Sequence, residues 1–415
     1  MRIMTRRLPL SALLSACLFV QVTACVDNTY PTTPTQATHP PPLPVPPATA
    51  PSVPQPARVT SAPPPPEPDP PPPPLAEPLP ALTRTFKDVP LPNVKDGIGS
   101  LTGSAPDDLW FMAGTIVNFD RMETGVVWHY DGKSAKSYGH PCSFANWWSV
   151  SAAKGVVVAT GYRAWSRGVL PAFRSTMSPD GKWTCDYADS GMAGGEVVST
   201  GDRVFELTCR DIRECSFKVA GGPPVAFPTI QAPLEGRPEN DTPPYSAIYM
   251  TSSSDGFLVH EGDDFRDWLF RFNGVSWRPV AALSDGTTAT GLWADAAGHA
   301  WILVRSANVK EDDPADTLLH WDGEKLAYMA VPASFKADQI RGTRGDDVWM
   351  IGPEDRLYQW DGARLHQGKA PISLSSLWGS PDGDLFLAGA EPNPKNPDQA
   401  GARLVHTGPR AEAKK

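Results

Sequence analysis

The stretch His320-Trp321-Asp322-Gly323-Glu324-Lys325-Leu326 has a near copy in Gln359-Trp360-Asp361-Gly362-Ala363-Arg364-Leu365. Each runs from an aromatic position through Asp-Gly to a new apolar position. In such a hairpin the Gly takes positive φ, which matches the twist of the flanking strands. The same signal, or a near equivalent, occurs at Asp131-Gly132, Asp180-Gly181, Gly221-Gly222, Asn273-Gly274 and, in a weaker form, Thr407-Gly408. The spacing is roughly 46 residues, so one supersecondary unit is being repeated.

Working outward from each turn, the unit resolves into four short β-rich runs punctuated by Gly, Asp, Asn and Pro. In the fifth unit they are Thr290–Ala297 (strand a), His299–Ser306 (b), Asp316–Trp321 (c) and Glu324–Val331 (d). Four antiparallel strands repeated seven times make an all-β, seven-bladed β-propeller. The seventh unit stops after its c strand. Residues 84–92, just ahead of the first unit, resemble the d-strand endings Trp277-Arg278-Pro279-Val280 and Tyr328-Met329-Ala330-Val331. This N-terminal strand is expected to complete the last blade and close the ring, burying an edge that would otherwise be open. Trp110, Trp128, Trp293, Trp301, Trp321, Trp349, Trp360 and Trp378 recur at strand positions and read as packing between blades.

The chain has 415 residues and a net charge of −9. All of that charge lies in 83–415, because 1–82 holds four Arg and four acidic residues. An acidic globule has no electrostatic footprint for phosphate backbones, so nucleic acid is not expected as a partner. Residues 31–80 contain 23 prolines and cannot form a core. The expected division is a signal segment at 1–25, a disordered Pro-rich linker at 26–82, the propeller at 83–410 and a charged tail at 411–415.

Arg2, Arg6 and Arg7 precede an apolar run from Leu8 to Val22, the pattern of a secretory signal. It ends in Val22-Thr23-Ala24-Cys25, which resembles the bacterial lipobox; Leu14-Ser15-Ala16-Cys17 is a second match. The resemblance implies cleavage before Cys25, lipid on that residue and a head exported to the cell envelope. The outer membrane or cell surface is favoured over the inner membrane. The alternative is a secreted chain in which Cys25 is incidental. In polyproline II the linker would rise about 3.1 Å per residue, a spacer on the order of 150 Å.

Repeat elements such as Asp107-Asp108-Leu109-Trp110 and Asp346-Asp347-Val348-Trp349, followed by aromatic-Asp-Gly, resemble the propeller heads of bacterial surface lipoproteins. That likeness covers about 83–410 and is one of texture, with no catalytic signature. Gly-x-Ser-x-Gly, His-Glu-x-x-His and phosphate-cradling Gly-rich loops are absent from the sequence. No cofactor or metal is expected. Cys142, Cys185, Cys209 and Cys215 form an even set, read as Cys209–Cys215 and Cys142–Cys185 disulfides. His129, His320 and His406 fall at equivalent strand-c positions, with Arg271 and Gln359 replacing them elsewhere, and read as solvent-facing.

The b–c connections vary in length while the a–b and c–d turns do not. Variable loops on a rigid scaffold are where binding function is expected. Candidate contacts there are Phe119, Arg121, Trp165 and Arg167, with an acidic rim of Asp263, Asp264, Asp267, Glu311, Asp312, Asp313, Glu354 and Asp355. The expected role is a monomeric binding or scaffold module for a protein or envelope glycan. The alternative is an envelope-acting hydrolase or lyase with its site at the central channel.

Overall fold

A computed structural model describes residues 68–409 apart from 83, 119–120, 142–144, 154, 164–171, 188–193, 201, 210–214, 220–223, 226–246, 262–265, 307–315 and 392–400. The signal segment with Cys17 and Cys25, linker residues 26–67 and the tail 411–415 lie outside the described residues.

Seven four-stranded antiparallel blades form a ring. They occupy 98–137, 145–187, 194–225, 247–282, 287–329, 339–369 and, for the seventh, 373–407. The turn chemistry repeats as the sequence implies. Gly132, Gly274, Gly323 and Gly362 have φ of 85, 90, 101 and 89°. The residue before each closes the hairpin: the Asp131 carboxylate accepts the amides of Lys133 and Ser134, and Asn273, Asp322 and Asp361 do the same in their blades.

An inner strand is an edge strand with unpaired backbone groups. Hydroxyls of the adjacent blades satisfy several of them. The amide of Val150 donates to Ser100 Oγ at 3.2 Å, Ser151 Oγ donates to the Val197 carbonyl at 2.9 Å, and the Leu101 amide donates to Ser376 Oγ at 3.2 Å. The last of these joins blade seven to blade one. Trp301 and Trp349 are fully buried between blades. Gly342 exists for this packing, since a Cβ there would sit 2.5 Å from the Trp293 ring.

The N-terminal strand closes the seventh blade as expected. Lys87 and Asp88 pair with His406 and Val405, and the Val89 amide donates to the Leu404 carbonyl at 2.9 Å. The docked segment starts earlier than residue 83, which moves the linker boundary. The Leu75 amide donates to Val331 on the outer edge of blade five, and the Gln367 amide of blade six donates to Pro80. Leu75 and Leu79 pack on the core between blades five and six, while Leu82 and Phe86 pack on the core between six and seven. Leucines spaced among the prolines supply the apolar contacts that proline alone would not.

Arg84 locks this strap. Its side chain is 6% exposed, with Nη1 3.1 Å from Asp347 Oδ2 and Nη2 donating to the Gly383 carbonyl at 3.1 Å. Asp347 is 1% exposed and also accepts from Thr343, Trp349 and Gln359. Arg84→Met strands that carboxylate and should lower unfolding stability by about 3–5 kcal/mol. Asp88→Ala breaks only an exposed pair with Arg403 and should cost under about 1 kcal/mol. Urea unfolding of both variants checks the ordering; equal losses would refute the latch.

Candidate functional site

The strand-c histidines are half-buried, with one ring face covered. Each lies flat on the aromatic side chain of its cross-strand partner: His129 on Trp110 (centroids 4.4 Å apart, planes at 25°), His320 on Trp301 (4.5 Å, 26°) and His406 on Phe386 (4.4 Å, 26°). Nε2 of His129 and of His406 lies 2.7 Å from the first strand-b carboxylate, Asp108 and Asp384 respectively. Arg271 replaces His in blade four, with Nε on Asp255 at 2.9 Å and its guanidinium over Phe257. Gln359 replaces it in blade six, with Nε2 on Asp347 at 2.8 Å. These residues form one recurring clamp between strands b and c. The His129 hydrogen bond holds the Asp108 carboxyl below the usual range, against the opposing effect of burial.

Blades two, three and five depart from it; in blade five His299 stands where the clamp Asp belongs, and His320 Nε2 makes no hydrogen bond among the described residues. In blades two and three Val156 and Val204 stand where the clamp Asp belongs, and Glu206 takes the aromatic position. Glu206 is 1% exposed between Arg174 Nη2 (2.6 Å) and Lys218 Nζ (3.3 Å), so an ion cluster replaces stacking there.

On the opposite face, two members of the expected acidic rim turn inward. Asp267 Oδ2 accepts the Ala289 amide at 2.6 Å, and Asp355 Oδ1 accepts the Leu374 amide at 3.0 Å. Asp316 Oδ2 binds the Ala337 amide at 2.9 Å in the same way. Each carboxylate caps the next blade's inner strand. Asp355 and its neighbour Glu354 adopt left-handed φ of 61 and 60°, an uncommon conformation for non-Gly residues.

The other loop candidates, Phe119, Trp165, Arg167, Asp263, Asp264, Glu311, Asp312 and Asp313, lie outside the described residues. Arg121 begins strand c of blade one, because strands b and c of that blade extend into a long hairpin of Asp108–Asn118 with Arg121–Tyr130. It reaches the neighbouring blade, pairing Met122 with Trp147. Cys209 and Cys215 are directly opposed in register. Cys185 is disulfide-bonded, its sulfur 3.1 Å from the carbonyl oxygen of Pro141; Cys142 itself lies outside the described residues.

The ring encloses an axial channel that the sequence did not reveal residue by residue. Seven inner-strand residues pair with the clamp level: Tyr249, Trp293, Arg341 and Trp378 from blades four to seven, and Thr102, Ser151 and Val197 from blades one to three. The large side chains thus fall on one wall and the small ones on the other. Thr102 Oγ1 and Ser199 Oγ approach to 3.3 Å on the narrow side. Two cavities of about 390 and 340 Å³ share Tyr249 and Trp378 in their walls, the first lined by residues of the a–b turns. Burial pushes the Tyr249 phenol up, with Arg341 and Trp293 opposing. No group of three or more His, Cys, Asp or Glu side chains is placed to hold a metal ion among the described residues.

No protein-family model matches the chain, and no curated protein matches it. Among solved structures it is similar to YCF48 bound to D1 peptide, with 13% identity over 80% of this chain and all of that one (TM-score 0.49). It is similar also to the β-propeller domain of the Trilobed protease from Pyrococcus furiosus, which has an open velcro topology (8%, 75% and 95%, TM-score 0.47). A third is SapL1 lectin in complex with alpha methyl fucoside (12%, 68% and 98%, TM-score 0.42). At these identities and scores the likenesses decide nothing about ligand or activity.

One turn carboxylate gives a pH test. Burial raises the Asp361 carboxyl, but hydrogen bonds from His366 and from the Arg364 and Ala363 amides outweigh it and bring it to about 2. An unfolded Asp titrates near ~3.9. The associated stability is therefore present above that value and lost as pH falls toward 2. Asp361→Asn should lower the melting temperature at pH 6 by a few degrees and flatten its fall in the acid window. A fall as steep as in the parent chain would contradict the assignment.

Proposed function

We propose that this is an exported, lipid-anchored binding module, its ring acting as a scaffold for an envelope protein or glycan through the face that carries the b–c connections. The observation behind this reading is the contrast between the two faces. On the a–b and c–d face the turn carboxylates are consumed in closing hairpins and the clamps are internal. The large apolar side chains exposed among the described residues, Val156 and Val275, are scattered on that face, not gathered in a patch. The other face carries the departures from uniformity, including the blade-one hairpin that crosses to blade two. Irregular segments on a rigid ring are suited to recognition.

The anchor reading rests on the lipobox at Cys25 and on the proline-rich run that leads to the strap. A disulfide at Cys185 suits an oxidising compartment. Among the described residues no helix is long and apolar enough to cross a membrane. A second reading, a hydrolase or lyase at the channel, draws on one feature: Asp338 and Tyr249 line the same cavity and burial pushes both up.

Two experiments test the proposal. Cys25→Ala should move the protein from membrane to soluble fractions; retention in the membrane would remove the anchor at that residue. The head comprising 68–415 should capture an envelope component, and a Phe119→Ala, Trp165→Ala double variant should reduce capture at least about tenfold, an effect of hot-spot size, at unchanged melting temperature. Undiminished capture would place the contact surface elsewhere.

A further inference from the structure

The axial channel holds a guanidinium that the framework leaves without a carboxylate. Arg341 Nη1 donates to the carbonyls of Ile340 at 2.8 Å and Leu292 at 3.4 Å. Among the described residues its Nη2 and Nε groups make no hydrogen bond, and Arg341 lines the cavity of about 340 Å³. The other charged groups around the two cavities are already engaged. Asp295 Oδ1 accepts the amides of Ala297 and His299, Arg344 lies 3.2 Å from Asp346, and Asp338 pairs with Arg305.

Around that cation the wall is aromatic. The guanidinium carbon sits 5.8 Å from the Tyr249 ring centroid, and Trp293 lies 6.2 Å from Tyr249. Thr290 Oγ1 lines the same cavity without a hydrogen-bond partner, and the Thr102 and Ser199 hydroxyls stand on the narrow wall. Cavities of about 340 and 390 Å³ are the size of small-molecule sites.

We propose that the channel receives a small ring-bearing monocarboxylate, its carboxylate bidentate on Nη2 and Nε of Arg341 and its ring against Tyr249 and Trp378. Guanidinium and carboxylate match as two parallel N–H···O bonds. A phosphate dianion fits less well, because one cation faces it and Asp338 lines the same cavity. Sugar acids and aromatic acids share the required chemistry, and the hydroxyls on the narrow wall would serve the former. This site is distinct from the loop face and does not depend on a macromolecular partner there.

Calorimetric titration of the full chain in detergent with glucuronate and with benzoate tests the proposal; glucose and benzyl alcohol serve as neutral counterparts. At least one acid should bind with a Kd of about 1 mM or tighter, and its neutral counterpart at least about tenfold more weakly. Tighter glucuronate marks a sugar-acid site, tighter benzoate an aromatic-acid site. Arg341→Met should weaken the acid at least about tenfold while Arg341→Lys retains part of the affinity. Thr102→Phe narrows the cavity from the opposite wall without touching the guanidinium, and should also abolish binding if Arg341→Met fails to fold. Absence of binding by both acids, equal binding of the neutral counterparts, or affinity unchanged in the Arg341 and Thr102 variants would overturn the site.

Discussion

A carboxylate buried at the start of a second strand is the interaction on which this ring depends. Asp347 shows it most fully, with donors from the inner strand, the following Trp, the third strand and the N-terminal strap. A buried charge is costly unless paired and hydrogen-bonded. The chain meets that condition by bringing Arg84 in on the strap where blades six and seven meet. The geometry that makes Asp347 tolerable therefore also fixes where the strap must lie, and the strap buries the edge of the seventh blade.

Much of the architecture was legible because hairpins announce themselves. Asp131-Gly132, Asn273-Gly274, Asp322-Gly323 and Asp361-Gly362 each need a residue able to take positive φ, so geometry leaves a mark in the sequence. The closing strand was legible too, through the missing d strand of the last unit and the apolar pattern ahead of the first. Blades two and three were faint for a physical reason. Valine replaces the clamp Asp there, and Glu206 with its two cations replaces an aromatic stack, so the expected texture is absent although the strands are present.

What sequence pattern could not give was the direction in which polar side chains point. His129 and His406 alternate with apolar neighbours, which reads as solvent exposure, yet an aromatic partner one strand away covers one face of each ring. Asp267 and Asp355 sit in acidic runs that read as a solvated rim, yet their carboxylates reach the next blade's backbone. In both cases the deciding partner is across a strand or in another blade, beyond the range of local pattern. The docked segment 75–82 was hidden similarly, since proline content alone suggested a spacer and the grooves that accept Leu75, Leu79 and Leu82 belong to later blades.

The framework also supplies the standard by which its exceptions are recognised. Arg84, Arg174, Arg271 and Arg305 all end on carboxylates: Asp347, Glu206, Asp255 and Asp316. Each of those pairs ties one strand or blade to another, and each carboxylate has further donors or a second cation. Arg341 stands at the inner-strand position that pairs with Trp349, in the same blade as the most completely satisfied clamp, yet it meets backbone carbonyls and open space. Packing alone does not call for a cation there, since the equivalent positions in neighbouring blades are filled by Trp293 and Trp378. A guanidinium kept at that level, where the carboxylates around it (Asp295, Asp338 and Asp346) are already engaged, is best explained by an anion that comes from outside the ring.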